Sequence, residues 1–139
     1  MSSVSMSTPL GAPAAAVWGT IRDFNAFSKF LPLIATSTMN GSGVGAVRNL
    51  TLQDGAEVAE RLESFDENQR TLSYRILSAP LPLENYIATM RVEDRPNGRC
   101  ELQWSSTFEP KGAPEADVKA LIEGIYAAGF DGLKKLHGA

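Results

Sequence analysis

From Ile34 to Phe108 the apolar and polar residues fall into six short segments that each suit a β-strand. These are Ile34 to Met39, Ala46 to Leu52, Val58 to Phe65, Thr71 to Leu77, Tyr86 to Val92 and Cys100 to Phe108. Turn residues separate them: Asn40-Gly41-Ser42-Gly43, Asp54-Gly55, Asp66-Glu67-Asn68 and Pro96-Asn97-Gly98. Glycine and asparagine supply the positive φ of tight hairpins at little steric cost. The segments therefore predict an antiparallel meander, to which Ser3 to Ser7 adds a short first strand.

Helical spacing governs the two ends of the chain. Ala12-Pro13 opens a helix through Ala16, Val17, Trp18, Ile21 and Arg22, with proline in the first turn where its missing N–H is not needed. Phe24, Phe27, Phe30, Leu31, Leu33 and Ile34 form the densest aromatic cluster, core residues of a second short helix that ends before Pro32. Beyond Gly112-Ala113-Pro114 a long helix is expected from Glu115 to His137, with Glu115 and Asp117 at its start and Lys134, Lys135 and His137 at its end. Those charges match the helix dipole. A strand, two helices, six strands and a helix, without β-α-β alternation, imply an α+β layer structure.

The long helix carries Gly124, Gly129 and Gly132. Each interior glycine costs roughly 1 kcal/mol against alanine. Gly124, Ala128 and Gly132 run at helical spacing beside Leu121 and Ile125 and suggest a hollow between helix and sheet.

Composition narrows the function classes. The 139 residues fit one domain, 1–139, and 43% apolar content suffices for a core or for a smaller core plus a cavity. A net charge of -3, with thirteen Lys and Arg residues gathered into no basic stripe, argues against nucleic acid. Cys100 is the sole cysteine, so no internal disulfide forms, and the absence of a leader makes the cytoplasm the expected location. No apolar run approaches the ~20 residues of a membrane span. Metal and cofactor are not expected, because His137 stands alone at the helix end, where it reads as a solvated cap, and Cys100 has no partner. Gly41-Ser42-Gly43-Val44-Gly45 leads into Ala46-Val47-Arg48-Asn49, a strand, whereas a dinucleotide fingerprint opens a helix. A monomer or weak homodimer is expected.

The polar residues within strands carry the candidate chemistry. Alternation puts Arg48 with Leu50 and Leu52 on one face, and Glu60 with Val58 and Leu62 on one face. Across a hairpin at Asp54-Gly55, Arg48 and Glu60 fall near each other. They are either a structural ion pair at the sheet edge or a polar handle inside an apolar pocket, since an unpaired buried charge is very costly. Tyr74, Tyr86 and Gln103 are core residues or ligand contacts on equal terms. Tyr74 shares a face with Ile76, Tyr86 with Ala88 and Met90, and Trp104 faces opposite Gln103.

The ordered set Ala12-Pro13-Ala14-Ala15-Ala16-Val17-Trp18, Asp23-Phe24, Gly43-Val44-Gly45-Ala46-Val47-Arg48, Glu60-Arg61-Leu62 and Leu133-Lys134-Lys135-Leu136 resembles the START-like superfamily, also called SRPBCC. That superfamily contains pollen allergens, polyketide cyclase/dehydrase-like proteins and lipid-transport proteins, and the resemblance covers nearly the whole chain. It implies a helix-grip fold: a seven-stranded antiparallel sheet wrapped around the C-terminal helix, with two short helices after the first strand. Through Arg48, Glu60-Arg61-Leu62 and Asn85-Tyr86 the chain also looks like the plant abscisic acid receptors. In that alignment Leu50, Leu52, Glu60, Tyr74, Tyr86, Ala88, Gln103, Gly124, Ala128 and Gly132 occupy cavity-lining positions. The receptors' carboxylate-holding lysine aligns with Ala35, their gate with Gln53-Asp54-Gly55-Ala56 and their latch with Leu81-Pro82-Leu83. Hormone sensing by gate and latch is not carried over.

The resemblance implies a carrier or binding protein for a small apolar or amphipathic molecule, lipid-like or polyketide-like, in a cavity of roughly 300–1,000 Å³. Arg48, Glu60, Tyr74, Tyr86 and Gln103 would orient the ligand, and Leu50, Leu52, Ala88, Met90, Leu121, Ile125, Ala128 and Gly132 would form the walls. The loops at Asp54-Gly55 and Ala79 to Leu83 would surround the mouth, and Gly129 would be a packing notch. One alternative is a polyketide cyclase or dehydratase with Glu60 or Tyr86 as acid or base. Another is a protein-partner module using an exposed sheet face with Trp104.

Overall fold

The computed structural model describes every residue from Met1 to Ala139. Strand β1 (Ser2–Leu10) leads to helix α1 (Ala14–Ile21) and a single 3₁₀ turn, Phe27–Lys29. Strands β2 (Ile34–Asn40), β3 (Val47–Leu52), β4 (Glu57–Asp66), β5 (Thr71–Ser78), β6 (Leu83–Arg95) and β7 (Arg99–Pro110) follow, and helix α2 (Glu115–His137) ends the chain. All neighbouring strands are antiparallel, in the order β1-β7-β6-β5-β4-β3-β2. This is the helix-grip α+β fold. The first strand reaches the far edge of the meander by pairing with the last, which places α1 and the aromatic turn across one end of the sheet.

Where two short helices were expected there is one helix and one turn. Asp23 Oδ1 accepts the backbone N–H of Asn25 at 3.0 Å, and the Asp23 carbonyl accepts that of Ala26 at 2.9 Å. These local bonds compete with helix, and Pro32 stops it from extending. Asn97 and Gly98 both have positive φ, 67° and 70°, as the tight β6–β7 hairpin requires. His137 is half-buried rather than solvated, its Nε2 sharing a hydrogen bond with Thr20 Oγ1 of α1 at 2.9 Å.

Among the small residues of α2, Gly129 is the packing notch expected, and it is the stripe through Gly124, Ala128 and Gly132 that departs from expectation. The face turned to the sheet is Val118, Ile122, Tyr126, Gly129, Phe130 and Leu133. The stripe through Leu121, Gly124, Ala128 and Gly132 is rotated from it by about one residue, roughly 100°. Leu121 is 39% exposed, and a methyl added at Gly124 would meet nothing. At Gly132 a methyl would collide with the Phe30 carbonyl oxygen, so this glycine lets the helix backbone touch the 3₁₀ segment. At Gly129 a methyl would lie 2.7 Å from Trp104 Cζ3, so Gly129 is the notch that receives the indole. Gly129 and Gly132 permit close approach, and none of the three glycines lines the central cavity.

The same substitution should therefore have opposite signs at two positions of one helix. Gly124→Ala should stabilise by about 0.5–1 kcal/mol, and Gly132→Ala should destabilise by about 2 kcal/mol or more through overpacking against backbone. Urea unfolding of both variants measures this, and a shared sign would contradict the packing described.

Candidate functional site

Arg48 and Glu60 are direct cross-strand partners on β3 and β4, both 5% exposed. Arg48 Nε donates to Glu60 Oε1 at 2.8 Å, and Nη2 lies 2.6 Å from the same oxygen. Nη1 donates to the Phe24 carbonyl at 3.0 Å. The guanidinium carbon lies 3.9 Å from the Phe24 ring centroid, 4.3 Å from Phe27 and 4.8 Å from Tyr74, within the ~6 Å range of cation–π attraction. The aromatic cluster that reads as plain core in the sequence thus also encloses a buried cation. Both guanidinium contacts fall on Oε1, and Glu60 Oε2 accepts no hydrogen bond from the protein.

Three tyrosines approach this pair from other elements. Tyr74 stands on β5 opposite Leu62 and Ala88 and accepts a hydrogen bond from Trp104 Nε1 at 3.2 Å. Tyr86 enters from β6, where a bulge between Glu84 and Ile87 holds Asn85 at φ 55°. Asparagine tolerates this left-handed conformation better than most residues, and Asn85 Nδ2 donates to Glu109 at 2.9 Å. After the bulge Tyr86, Ala88, Met90 and Val92 all face inward. Tyr126 comes from α2, its ring stacked on Trp104 at 4.1 Å and its hydroxyl hydrogen-bonded to that of Tyr86.

Between these groups lies a cavity of about 70 Å³ with sixteen lining residues, fifteen of them hydrophobic and Glu60 the one carboxylate. Leu50, Leu52, Tyr74, Tyr86 and Ile125 line it, joined by Tyr126, Ile122, Phe27 and Ile34, which the sequence reading did not assign to a cavity. Leu33, Leu81 and Leu83 form part of its rim. The hollow is much smaller than the roughly 300–1,000 Å³ expected. Stacked Trp104 and Tyr126, together with Phe27 and the Arg48 side chain, fill space that the glycines of α2 had suggested was open.

The other assigned residues lie elsewhere. Arg48 stands behind Glu60, and Ala88 and Met90 are buried on the inner face but do not line the cavity. Gln103 pairs with Arg91 and Ser7 on the outer face of the sheet, while Trp104 is fully buried on the inner one. Period two from Cys100 through Leu102, Trp104 and Ser106 to Phe108 carries this orientation and turns Gln103 outward. A partner surface built on Trp104 is thereby excluded. Ala128 and Gly132 belong to a separate open cleft with Lys29, Asp131 and Lys135, and Leu121 faces solvent. Asp54 and Gly55 do not reach the cavity, although Leu81 and Leu83 of the neighbouring loop do. No group of three or more His, Cys, Asp and Glu side chains gathers to hold a metal.

Burial pushes the Tyr74 and Tyr86 hydroxyls well above 10 and that of Tyr126 up to about 12, so all three are neutral hydrogen-bonding groups at ordinary pH. Burial also raises the Glu60 carboxyl above 4.5, and the adjacent Arg48 offsets part of that rise. The folded chain therefore holds this proton to higher pH than the unfolded chain does. The stability Glu60 contributes by protonation is complete below pH 4.5 and is lost as pH rises through the folded value. Thermal unfolding of wild type and Glu60→Gln between about pH 4 and about pH 7 should show the wild type losing ground to the variant as pH rises. A difference that moves the other way would contradict the assignment.

Comparison with known proteins agrees with the architecture. The abscisic acid receptor PYL2 of Arabidopsis thaliana is 29% identical over 125 residues, an alignment that takes in 82% of this chain and only 66% of the receptor. The solved structure of the protein XoxI from Bacillus cereus superposes with a TM-score of 0.93 at 31% identity, covering 99% of this chain and 96% of that one. Norcoclaurine synthase from Thalictrum flavum, at 20% identity and a TM-score of 0.77 over 97% of this chain and 85% of its own, shares the fold. The family model described as polyketide cyclase / dehydrase and lipid transport matches residues 1–138, and the chain belongs to that family.

Proposed function

We propose that the protein binds a small apolar or amphipathic molecule between the sheet and α2, with Glu60, Tyr74, Tyr86 and Tyr126 as the polar groups that orient it. The observation that carries this reading is a cavity whose walls are apolar except for one carboxylate with an open oxygen. Membership of a family that includes lipid transport supports it, as does similarity to a receptor for abscisic acid. A ligand larger than about 70 Å³ enters by displacing the half-buried rim side chains Leu81 and Leu83 and the wall residue Ile125. Few polar groups suffice in such a site, because apolar contact supplies most of the affinity and hydrogen bonds set orientation.

A second reading, catalysis of the cyclase or dehydratase type with Glu60 or Tyr86 as acid or base, draws on the raised Glu60 carboxyl. Tyr86 is held neutral and hydrogen-bonded to Tyr126, so it is a hydrogen-bonding group rather than a base. Binding accounts for these groups without requiring a reaction.

Filling the cavity mouth tests the proposal. Ile125→Trp, at a half-buried wall position on α2, should abolish binding of a neutral apolar fluorescent dye such as N-phenyl-1-naphthylamine while leaving the far-ultraviolet circular dichroism unchanged. Undiminished dye binding by the folded variant would overturn the placement.

A further inference from the structure

The cavity also carries information about the chemistry of its occupant. Its polar groups are one carboxylate and tyrosine hydroxyls, and no Lys, Arg or His is among its lining residues. Glu60 is 5% exposed, and its Oε1 is taken by Arg48 through two guanidinium nitrogens. Oε2 is without a protein donor. An acceptor in such apolar surroundings gains from any donor that reaches it, and a hydrogen bond to a charged group is among the stronger neutral–ionic contacts.

The charge balance then separates ligand classes. Arg48 already neutralises Glu60, so an ammonium entering the cavity would bring an uncompensated positive charge into apolar surroundings. A ligand carboxylate would meet Glu60 with no cation on the cavity wall to hold it. An ether or ketone presents only acceptors, and Oε2 would stay unpaired. A hydroxyl group satisfies Oε2 by donation, adds no charge, and keeps lone pairs available to a neutral tyrosine such as Tyr74 or Tyr86.

We infer that the cavity selects a neutral hydroxyl-bearing molecule, an alcohol or phenol with an apolar body, whose O–H donates to Glu60 Oε2. This rests on the binding function proposed above and adds the identity of the polar end. Slender unbranched bodies fit best, given a cavity of about 70 Å³ opening between Leu33, Leu81 and Leu83.

The test compares hexanol with methyl pentyl ether, which has the same number of heavy atoms and no donor, and with hexanoate and hexylamine. Each is titrated into the full chain at neutral pH and followed by amide chemical shifts. Hexanol should bind about tenfold tighter than the ether, the worth of one hydrogen bond to a charged acceptor, and tighter than either ion. In Glu60→Gln, Arg48 retains the amide oxygen and the amide NH₂ takes the place of Oε2, so the preference for hexanol over the ether should vanish. Ether binding by the variant reports that its cavity is still folded. Equal binding of hexanol and ether to the wild type, tighter binding of hexanoate or hexylamine, or a preference untouched by Glu60→Gln would each overturn the inference while leaving a binding cavity in place. If none of the four binds, the proposed binding function fails and the inference fails with it.

Discussion

The buried Arg48–Glu60 pair is the contact on which the arrangement of this interior depends. Two charges removed from water cost several kcal/mol each unless they meet partners of good geometry, and here the partners come from four places in the chain. The β3–β4 register sets the two side chains opposite each other. The Phe24 carbonyl takes one guanidinium N–H, and the Phe24, Phe27 and Tyr74 rings cover the cation. A one-residue slip of either strand would turn one partner outward and leave the other buried alone. The pair therefore selects against wrong registers, and it occupies one oxygen of the carboxylate that lines the cavity.

Helix α2 closes the other side of the same space. Its position is fixed by contacts that demand the absence of side chains, at Gly132 beneath the Phe30 carbonyl and at Gly129 under the Trp104 indole. That approach brings Tyr126 onto Trp104 and into hydrogen bonding with Tyr86. Loss of helix propensity at the glycines is offset by burial of aromatic surface, of which a Trp or Tyr side chain contributes among the largest areas in a core. Tight packing and a small cavity have the same cause, since space released by glycine is taken up by the neighbouring rings.

Much of the fold was legible because alternation and turn residues act locally. Asn97-Gly98 specifies its hairpin, and the Arg48–Glu60 pairing followed from strand phase and one turn. Orientation was misread where residue type was allowed to outweigh phase. Gln103 looked like a ligand contact because it is polar, although alternation along β7 turns Trp104 and not Gln103 inward. On α2, Ile125 lines the cavity as expected, but Leu121 faces solvent and drew attention from Ile122, Tyr126 and Leu133, whose spacing defines the buried face. Tyr126 could have been found from that spacing. The size of the cavity could not, because it depends on which rings fill the space beside Gly129, a property of long-range packing. The bulge at Asn85, which turns Tyr86 inward, is likewise set by pairing with β7 rather than by the local sequence.

The central claim is that the open oxygen of Glu60 is the polar end of a ligand-binding cavity. Carbon-13 NMR of the side-chain carboxyl groups tests it directly, with uniformly labelled protein and a bound small alcohol. The Glu60 carboxyl resonance should shift on saturation with the alcohol while that of Glu63, held by Arg61 and Arg75 on the outer face, stays in place. Binding accompanied by no movement of Glu60, with a shift instead at Asp131 of the outer cleft, would contradict it.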